Sequence, residues 1–167
     1  MVPDDFVVYF ATAATAAGAL IGLLFVAASL RQDTVLGRDA PPAARAIAGS
    51  AFTALVNSFF VSLIACIPDT RLGYPAAVMA LISLWGTLRM QREMPHHDDR
   101  LLQLILALVT YLGQLGVGLA SIISPRTEGY IEALAYLLIA SFSVALRRAW
   151  SLLQGKHLPA SEHPAGR

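Results

Sequence analysis

The stretch FVVYFATAATAAGALIGLLFVAASL, residues 6–30, contains 25 residues and no charged side chain. The hydrocarbon core of a bilayer is about 30 Å thick, and a helix of about 20 apolar residues is long enough to cross it. Asp4 and Asp5 precede the stretch, whereas a cleaved secretory signal has a basic start and a shorter apolar core of about 7–15 residues. We therefore expect residues 6–30 to form a retained transmembrane helix.

Four further segments have the same character, and Glu132 is the only charged residue in any of them. They cover residues 46–67, 72–88, 101–124 and 129–146. Prolines lie at the segment boundaries, where a helix tolerates them. The pattern predicts an all-α integral membrane bundle of five transmembrane helices, with spans at about residues 6–30, 44–67, 72–90, 101–124 and 129–150. The third span has the shortest uncharged segment, 17 residues, which is the lower limit for crossing a bilayer.

The composition of the whole chain also indicates a membrane protein. Of its 167 residues, 56% are hydrophobic and 14% are charged, against roughly 45–50% and 25% in soluble domains. So few charges exclude a soluble monomer, and so many apolar residues exclude a disordered chain. The single cysteine, Cys66, excludes a disulfide framework and a cysteine-built metal site. A net charge of +1 gives no reason to expect a nucleic-acid partner.

Basic residues are divided unequally between the two sides of such a bundle. Of the 12 basic residues, only Arg71 and Arg126 lie on the side of the N-terminus. The other ten are Arg31, Arg38, Arg45, Arg89, Arg92, Arg100, Arg147, Arg148, Lys156 and Arg167. Because Lys and Arg mark the cytoplasmic side, we expect the N-terminus outside and the C-terminus in the cytoplasm. Residues 155–167, rich in Pro, Ala, His and Ser, are expected to form a disordered cytoplasmic tail.

Small residues recur at helical spacing on the first and fourth predicted helices. Ala14, Gly18 and Gly22 are four residues apart on the first helix, and Gly113 and Gly116 share the fourth. In a bilayer, such residues let two helix backbones approach closely. Packing within the chain would explain them, and so would a surface for another membrane protein or for a second copy of this chain.

Five of the polar side chains in the second and fourth predicted spans are candidate site residues. Ser50, Thr53 and Asn57 share one face of the second helix, whereas Gln103 lies near the cytoplasmic end of the fourth and Gln114 near its centre. An unsatisfied amide in hydrocarbon costs several kcal/mol. Asn57 and Gln114 lie at similar depth, so we expect them to hydrogen-bond to each other. A structural clasp and a permeation or ligand site both remain open as explanations.

Apart from Tyr and Cys, Glu132 is the only residue with an ionisable side chain inside the five apolar segments. We expect Glu132 to be an interfacial residue at a helix start, and a proton or cation site is the alternative. The stretch His96-His97-Asp98-Asp99 contains metal-ligand types, but adjacent residues rarely hold one ion, so a loop with capping carboxylates explains it better. No nucleotide-binding, zinc-protease or serine-hydrolase motif is present in the sequence. We therefore expect no catalytic, cofactor-binding or metal-binding residue.

Residues 9–31, YFATAATAAGALIGLLFVAASLR, resemble the first helix of a family of small multi-span bacterial membrane proteins. That helix has an acidic-aromatic entry, an Ala/Gly-rich run and an ending that resembles GLLFVAASL at residues 22–30. Some members are labelled modulators of a membrane-bound AAA protease, which implies protein–protein interaction and supplies no catalytic residues. The excess of Arg over Lys and the abundant Ala are also typical of a high-GC bacterial genome.

These observations favour a non-enzymatic protein of the bacterial inner membrane that acts through helix–helix contacts. Its expected partners are the lipid bilayer and other membrane proteins, or a second copy of the chain, with no cofactor. The alternative is an oligomeric channel or small transporter, with a polar path near Asn57 and Gln114 that Thr53 also lines.

Overall fold

The computed structural model describes residues 2–30, 41–68, 70–92, 99–124 and 128–153. Within these ranges the chain forms helices and no strand. The five helices are α1 (Asp4–Leu30), α2 (Pro42–Ala65), α3 (Gly73–Arg92), α4 (Asp99–Ile123) and α5 (Glu128–Leu153). The predicted all-α class is therefore confirmed, and each predicted span coincides with a helix to within a few residues at its ends. The tail predicted for residues 155–167 lies outside the described residues.

Four of the helices are long and apolar enough to cross a membrane. They are α1 and the segments Ala44–Ala65, Leu104–Ile123 and Gly129–Trp150 of α2, α4 and α5. The remaining helix, α3, is 20 residues long but less apolar. It begins with Gly73, Tyr74 and Pro75, and Arg89 lies near its end. The sequence-based expectation is thus confirmed for four spans by length and composition.

Helix boundaries follow from local chemistry. Asp4 and Asp5 occupy the first turn of α1, where carboxylates interact favourably with the positive end of the helix dipole. Pro42 occupies the first turn of α2, where its missing N–H removes no helical hydrogen bond. At the other end of α2, the backbone N–H of Cys66 donates to the Leu63 carbonyl, and that of Ile67 donates to the Ile64 carbonyl.

Helices α2, α3, α4 and α5 form a ring in which each contacts the next, and α5 returns to α2. Helix α1 lies outside this ring, mainly against α2 and to a smaller extent against α5. The Tyr9 hydroxyl of α1 donates to the Ala135 carbonyl of α5 over 2.9 Å, which places the starts of these two helices at the same end. We call this the Asp4 end of the bundle, and the opposite one the Leu30 end.

Two glycines bring the backbones of α3 and α4 close together at the Asp4 end. A Cβ added at Gly118 would lie 3.0 Å from the backbone nitrogen of Ala77 and 3.0 Å from the Gly73 carbonyl oxygen. A Cβ added at Gly73 would meet the Ser121 hydroxyl and would lie 2.7 Å from the Gly118 carbonyl oxygen. Both positions therefore require glycine, because backbone atoms on the facing helix occupy the space.

The core combines apolar clusters with a polar interior. The larger cluster, at the Asp4 end, contains Phe10, Val61, Ala65, Leu72, Ala76, Ile131, Leu134 and Leu138. Buried polar side chains occupy much of the remaining interior. The outward surfaces of α2 to α5 instead expose large apolar residues such as Phe60, Val109 and Ile139. Such extensive apolar exposure is rare on soluble monomers and suits a lipid-facing surface.

Candidate functional site

The centre of the ring contains a pair of amides that bond to each other. Nδ2 of Asn57 donates to Oε1 of Gln114 over 2.8 Å, and Nε2 of Gln114 donates back to Oδ1 of Asn57 over 3.1 Å. Nε2 of Gln114 also donates to the Ala76 carbonyl over 3.0 Å. Both amide side chains are fully buried. The hydrogen bond expected from their matching depths is therefore present.

This amide pair connects helices whose backbones are not neighbours. Helices α2 and α4 face each other across the ring, and their described residues make no close backbone contact. The two side chains bridge that distance, and the bond to Ala76 includes α3 as well. A carbonyl oxygen has two lone pairs, so Ala76 can accept this bond beside a helical one. The pair thus fixes the relative position of three helices.

A second polar group lies in the half of the bundle toward the Leu30 end, around Arg148 of α5. Only 3% of Arg148 is exposed, and its guanidinium donates to the Ser50 carbonyl of α2 over 3.4 Å. Its electrostatic neighbour Tyr111 is 2% exposed. The Ser141 hydroxyl also reaches α2, where it donates to the Ala54 carbonyl over 3.4 Å. These contacts tie α5 to α2 through polar atoms.

The burial of Arg148 corrects two expectations from the sequence. Arg148 was expected to be a cytoplasmic surface charge, and Glu132 was expected to be the only ionisable group in a span apart from Tyr and Cys. Arg148 lies within the candidate span Gly129–Trp150. Helical spacing gives the signal that was missed. Arg148 follows Ser141 and Ala145, both buried, by seven and three residues, whereas exposed Arg147 lies off that face.

The other predicted polar residues have local partners or lie on the surface. The hydroxyls of Ser50 and Thr53 donate to carbonyls of their own helix, those of Ile47 and Gly49. Glu132 is exposed and accepts a hydrogen bond from the Tyr136 hydroxyl over 3.4 Å. The side chain of Gln103 lies outside the described residues.

The predicted small-residue ladders divide between internal packing and the outer surface. Ala14 is buried, and a Cβ at Gly18 would lie 3.5 Å from the Phe59 ring of α2. A Cβ at Gly113 would lie 3.1 Å from Leu137 of α5. Gly22 and Gly116 instead have no atom of the described residues within 4 Å of an added Cβ.

The middle of α1, residues 11–22, differs from the outward sides of the other helices, whereas the ends of α1 expose large apolar residues such as Val8, Phe25 and Leu30. The exposed residues of this middle segment are all small, and together they form what we call the α1 small-residue face: Ala11, Thr12, Thr15, Ala16, Ala19 and Gly22. The two threonine hydroxyls donate to carbonyls of their own helix, so they add little polarity to this face. A neighbouring helix could therefore approach the α1 backbone closely.

A cavity of about 370 Å³ opens at the Asp4 end, where α3 begins, α4 ends and α5 begins. Its apolar wall includes Leu72, Ala76, Val117, Ile131 and Leu134. Polar residues on its wall are Thr70, Arg71, Tyr74, Ser121, Ser124 and Tyr130. None of these was singled out from sequence as a ligand-binding group, because no local motif joins them.

Metal-ligand residue types are not assembled in the described ranges, where no three His, Cys, Asp or Glu side chains come together. The His96-to-Asp98 stretch lies outside the described residues.

Comparisons of the chain with family models, curated proteins and solved structures found no match.

Proposed function

We propose that this protein is a five-span integral protein of a bacterial cytoplasmic membrane and acts without catalysis. In this proposal it binds other membrane proteins through the α1 small-residue face, with no cofactor and no nucleic-acid partner. Its N-terminus lies outside and its C-terminus in the cytoplasm.

The position of α3 supports a fifth span. Near the Leu30 end, a Cβ at Gly86 of α3 would lie 3.8 Å from the Thr53 side chain of α2. At the Asp4 end, Gly73 packs against Gly118 of α4. A helix of 20 residues rises about 30 Å, which matches the hydrocarbon core. A helix that accompanies two candidate spans over this length is expected to cross the same layer.

The distribution of exposed arginines supports the orientation. Arg71 lies at the Asp4 end, whereas exposed Arg45, Arg89 and Arg147 lie toward the Leu30 end. The sequence-based assignment gives this side ten of the 12 basic residues, and nine when the buried Arg148 is left out. Since basic residues are retained in the cytoplasm, the Leu30 end is expected to face inward.

The observation that carries the proposed function is the contrast between the middle of α1 and the outward surfaces of the other helices. Lipid chains interact well with large apolar side chains, and the outward sides of α2 to α5 carry them. The middle of α1 exposes Ala, Thr and Gly instead. In membranes, small residues of this kind are enriched where two helices pack together. Because α1 lies outside the ring, a partner helix can reach this face without disrupting the bundle.

The alternative function, a polar path past Asn57 and Gln114, has less support from the packing. Both amides are fully buried and bond to each other and to Ala76. They therefore seal the interior at this depth. Flux through liposomes that contain the wild-type protein, lost when both amides are replaced by leucine, would favour the alternative.

The test of the proposed function compares two glycines that lie on different helices and have similarly open surroundings. Gly22 of α1 and Gly116 of α4 are both exposed, and neither has an atom within 4 Å of an added Cβ. Gly22→Leu places a bulky side chain in the α1 small-residue face, and Gly116→Leu makes the same change on α4. Membrane proteins that co-purify in mild detergent would be identified and quantified for both variants and for wild type.

We expect Gly22→Leu to remove a specific partner and Gly116→Leu to retain it. If that partner is a second copy of the chain, differently tagged copies would co-purify in the same pattern. The proposal fails if the wild-type protein purifies alone and as a monomer, or if the two variants retain the same partners in equal amounts.

A further inference from the structure

The cavity at the Asp4 end is large enough to hold part of a ligand. Its volume of about 370 Å³ falls within the range of roughly 300–1,000 Å³ that is usual for small-molecule sites. Small residues give it depth, since Gly73, Ala76 and Gly118 present little more than backbone to its wall. None of its lining residues belongs to the α1 small-residue face, so the two features are independent.

The cavity wall combines buried apolar residues with exposed residues, some of them polar. Leu72, Ile131 and Leu134 line it and are themselves buried. Arg71 and Tyr74 line it and are exposed. Among the described lining residues Arg71 carries the only formal charge, and no carboxylate accompanies it. Arg71 is therefore the group on the described wall that can pair with an anion.

The amide pair closes the cavity toward the interior. Ala76 lines the cavity, and its carbonyl accepts the hydrogen bond from Gln114. Gln114 is in turn held by Asn57, and both amides are fully buried. The part of the wall formed by Ala76 is therefore backed by two buried side chains, an arrangement that suits retention of a ligand.

We propose that this cavity binds an amphiphile with one anionic head group, a carboxylate or a phosphate. The apolar chain lies against Leu72, Ile131 and Leu134, and the head group meets the guanidinium of Arg71. Guanidinium groups pair with carboxylate and phosphate through two parallel hydrogen bonds, so one arginine is sufficient to select an anion. The same chemistry is offered by a fatty-acid anion and by an anionic phospholipid.

The experiment measures binding to the purified full-length protein in neutral detergent by native mass spectrometry. The titrated amphiphiles are oleate, dioleoylphosphatidylglycerol and zwitterionic dioleoylphosphatidylcholine. Arg71→Gln removes the charge at the mouth of the cavity. Arg89→Gln is the matched control, because it removes another exposed arginine, which lies near the far end of α3.

We expect an anionic amphiphile to bind wild type and Arg89→Gln alike, and Arg71→Gln to weaken this binding by about tenfold or more. Preference for oleate identifies a carboxylate ligand, and preference for phosphatidylglycerol identifies a phospholipid. Equal binding of anionic and zwitterionic amphiphiles to wild type, or equal losses in the two arginine variants, would overturn the proposal.

A second variant tests the apolar part of the site. Val117 is half-buried on the cavity wall, and Val117→Phe fills space that the chain of the ligand would occupy. We expect it to weaken binding of oleate and of phosphatidylglycerol whichever head group is preferred. Far-UV circular dichroism establishes that this variant is folded, and unchanged binding by the folded variant would contradict the location of the site. If Val117→Phe does not fold, the comparison of the two arginine variants decides.

Discussion

Asn57 and Gln114 illustrate how a polar residue can be at once costly and useful inside a membrane protein. An amide without a partner in an apolar interior costs several kcal/mol, so each side chain limits where the other can be placed. Measured hydrogen bonds between membrane helices contribute only about 0.6 kcal/mol on average. The pair therefore determines the register of α2, α3 and α4 more than it stabilises them.

The amide pair gives the first prediction, a thermodynamic cycle. Asn57→Leu leaves Gln114 buried with unsatisfied polar atoms and should lower the free energy of unfolding by about 1–3 kcal/mol. The double variant Asn57→Leu/Gln114→Leu should cost less than the sum of the two single variants, with a coupling of about 0.6–2 kcal/mol. Unfolding in mixed micelles, followed by circular dichroism, measures both quantities.

A conservative change on the surface of α1 serves as the control for this cycle. The exposed Thr12 donates its hydroxyl only to the Val8 carbonyl of its own helix in the described contacts. Thr12→Val should therefore change the unfolding free energy by no more than about 0.5 kcal/mol. Strictly additive losses at Asn57 and Gln114 would show that the two amides do not act as a pair.

Sequence reasoning at the scale of residues succeeded for this pair and missed Arg148 for a physical reason. The depth of a residue follows from its distance to the ends of its span, so two amides at mid-membrane could be matched. The side of a helix that faces the interior depends on its neighbours, and a charge near a helix end was therefore assigned to the surface. Arg147 and Arg148 differ by one residue in sequence, yet only Arg148 is buried.

At the scale of helices, the structure adds pairing information that the sequence does not contain. Small residues on α4 were recognisable from their spacing, but the spacing does not identify which glycine faces which helix. Gly118 forms the close contact with Gly73 of α3, whereas Gly116 is open. The boundaries of the helices were easier to predict, because charges and prolines mark them in the sequence.

The two α4 glycines give the second prediction, in which the same substitution has opposite effects. Gly118→Ala places a methyl group 3.0 Å from backbone atoms of α3, and these atoms cannot move without separating the helices. We expect it to lower the free energy of unfolding by about 1–3 kcal/mol. Gly116→Ala meets no neighbour and replaces glycine within a helix, so it should be neutral or stabilising by up to about 1 kcal/mol.

The comparison of these two variants separates packing from helix propensity, since both gain the same methyl group in the same helix. Thermal unfolding in one detergent is a sufficient measurement. If Gly118→Ala were as stable as Gly116→Ala, the close approach of α3 and α4 would not be a determinant of the fold.

At the scale of the whole molecule, a ring of four helices with a fifth outside it gives two kinds of surface. The ring buries its polar side chains between helices, and its outward sides suit lipid. Helix α1 contributes few buried residues, namely Phe10, Ala13, Ala14 and Ala17. A helix that is apolar enough to span the membrane but contributes so little to the core is available for contacts with another protein. The sequence indicated the number of helices, whereas the peripheral position of α1 required the structure.

The third prediction concerns the topology and tests directly whether α3 crosses the membrane. In a Cys66→Ala background, single cysteines replace Thr70, before α3, and Ser124, after α4; both lie at the Asp4 end. If α3 and α4 both cross, a membrane-impermeant maleimide added to intact cells should label both cysteines. If α3 does not cross, α4 runs in the opposite direction and the two cysteines lie on opposite sides of the membrane. Ser29→Cys, near the end of α1, should react only after the cells are permeabilised if the proposed orientation, with the Leu30 end in the cytoplasm, is correct.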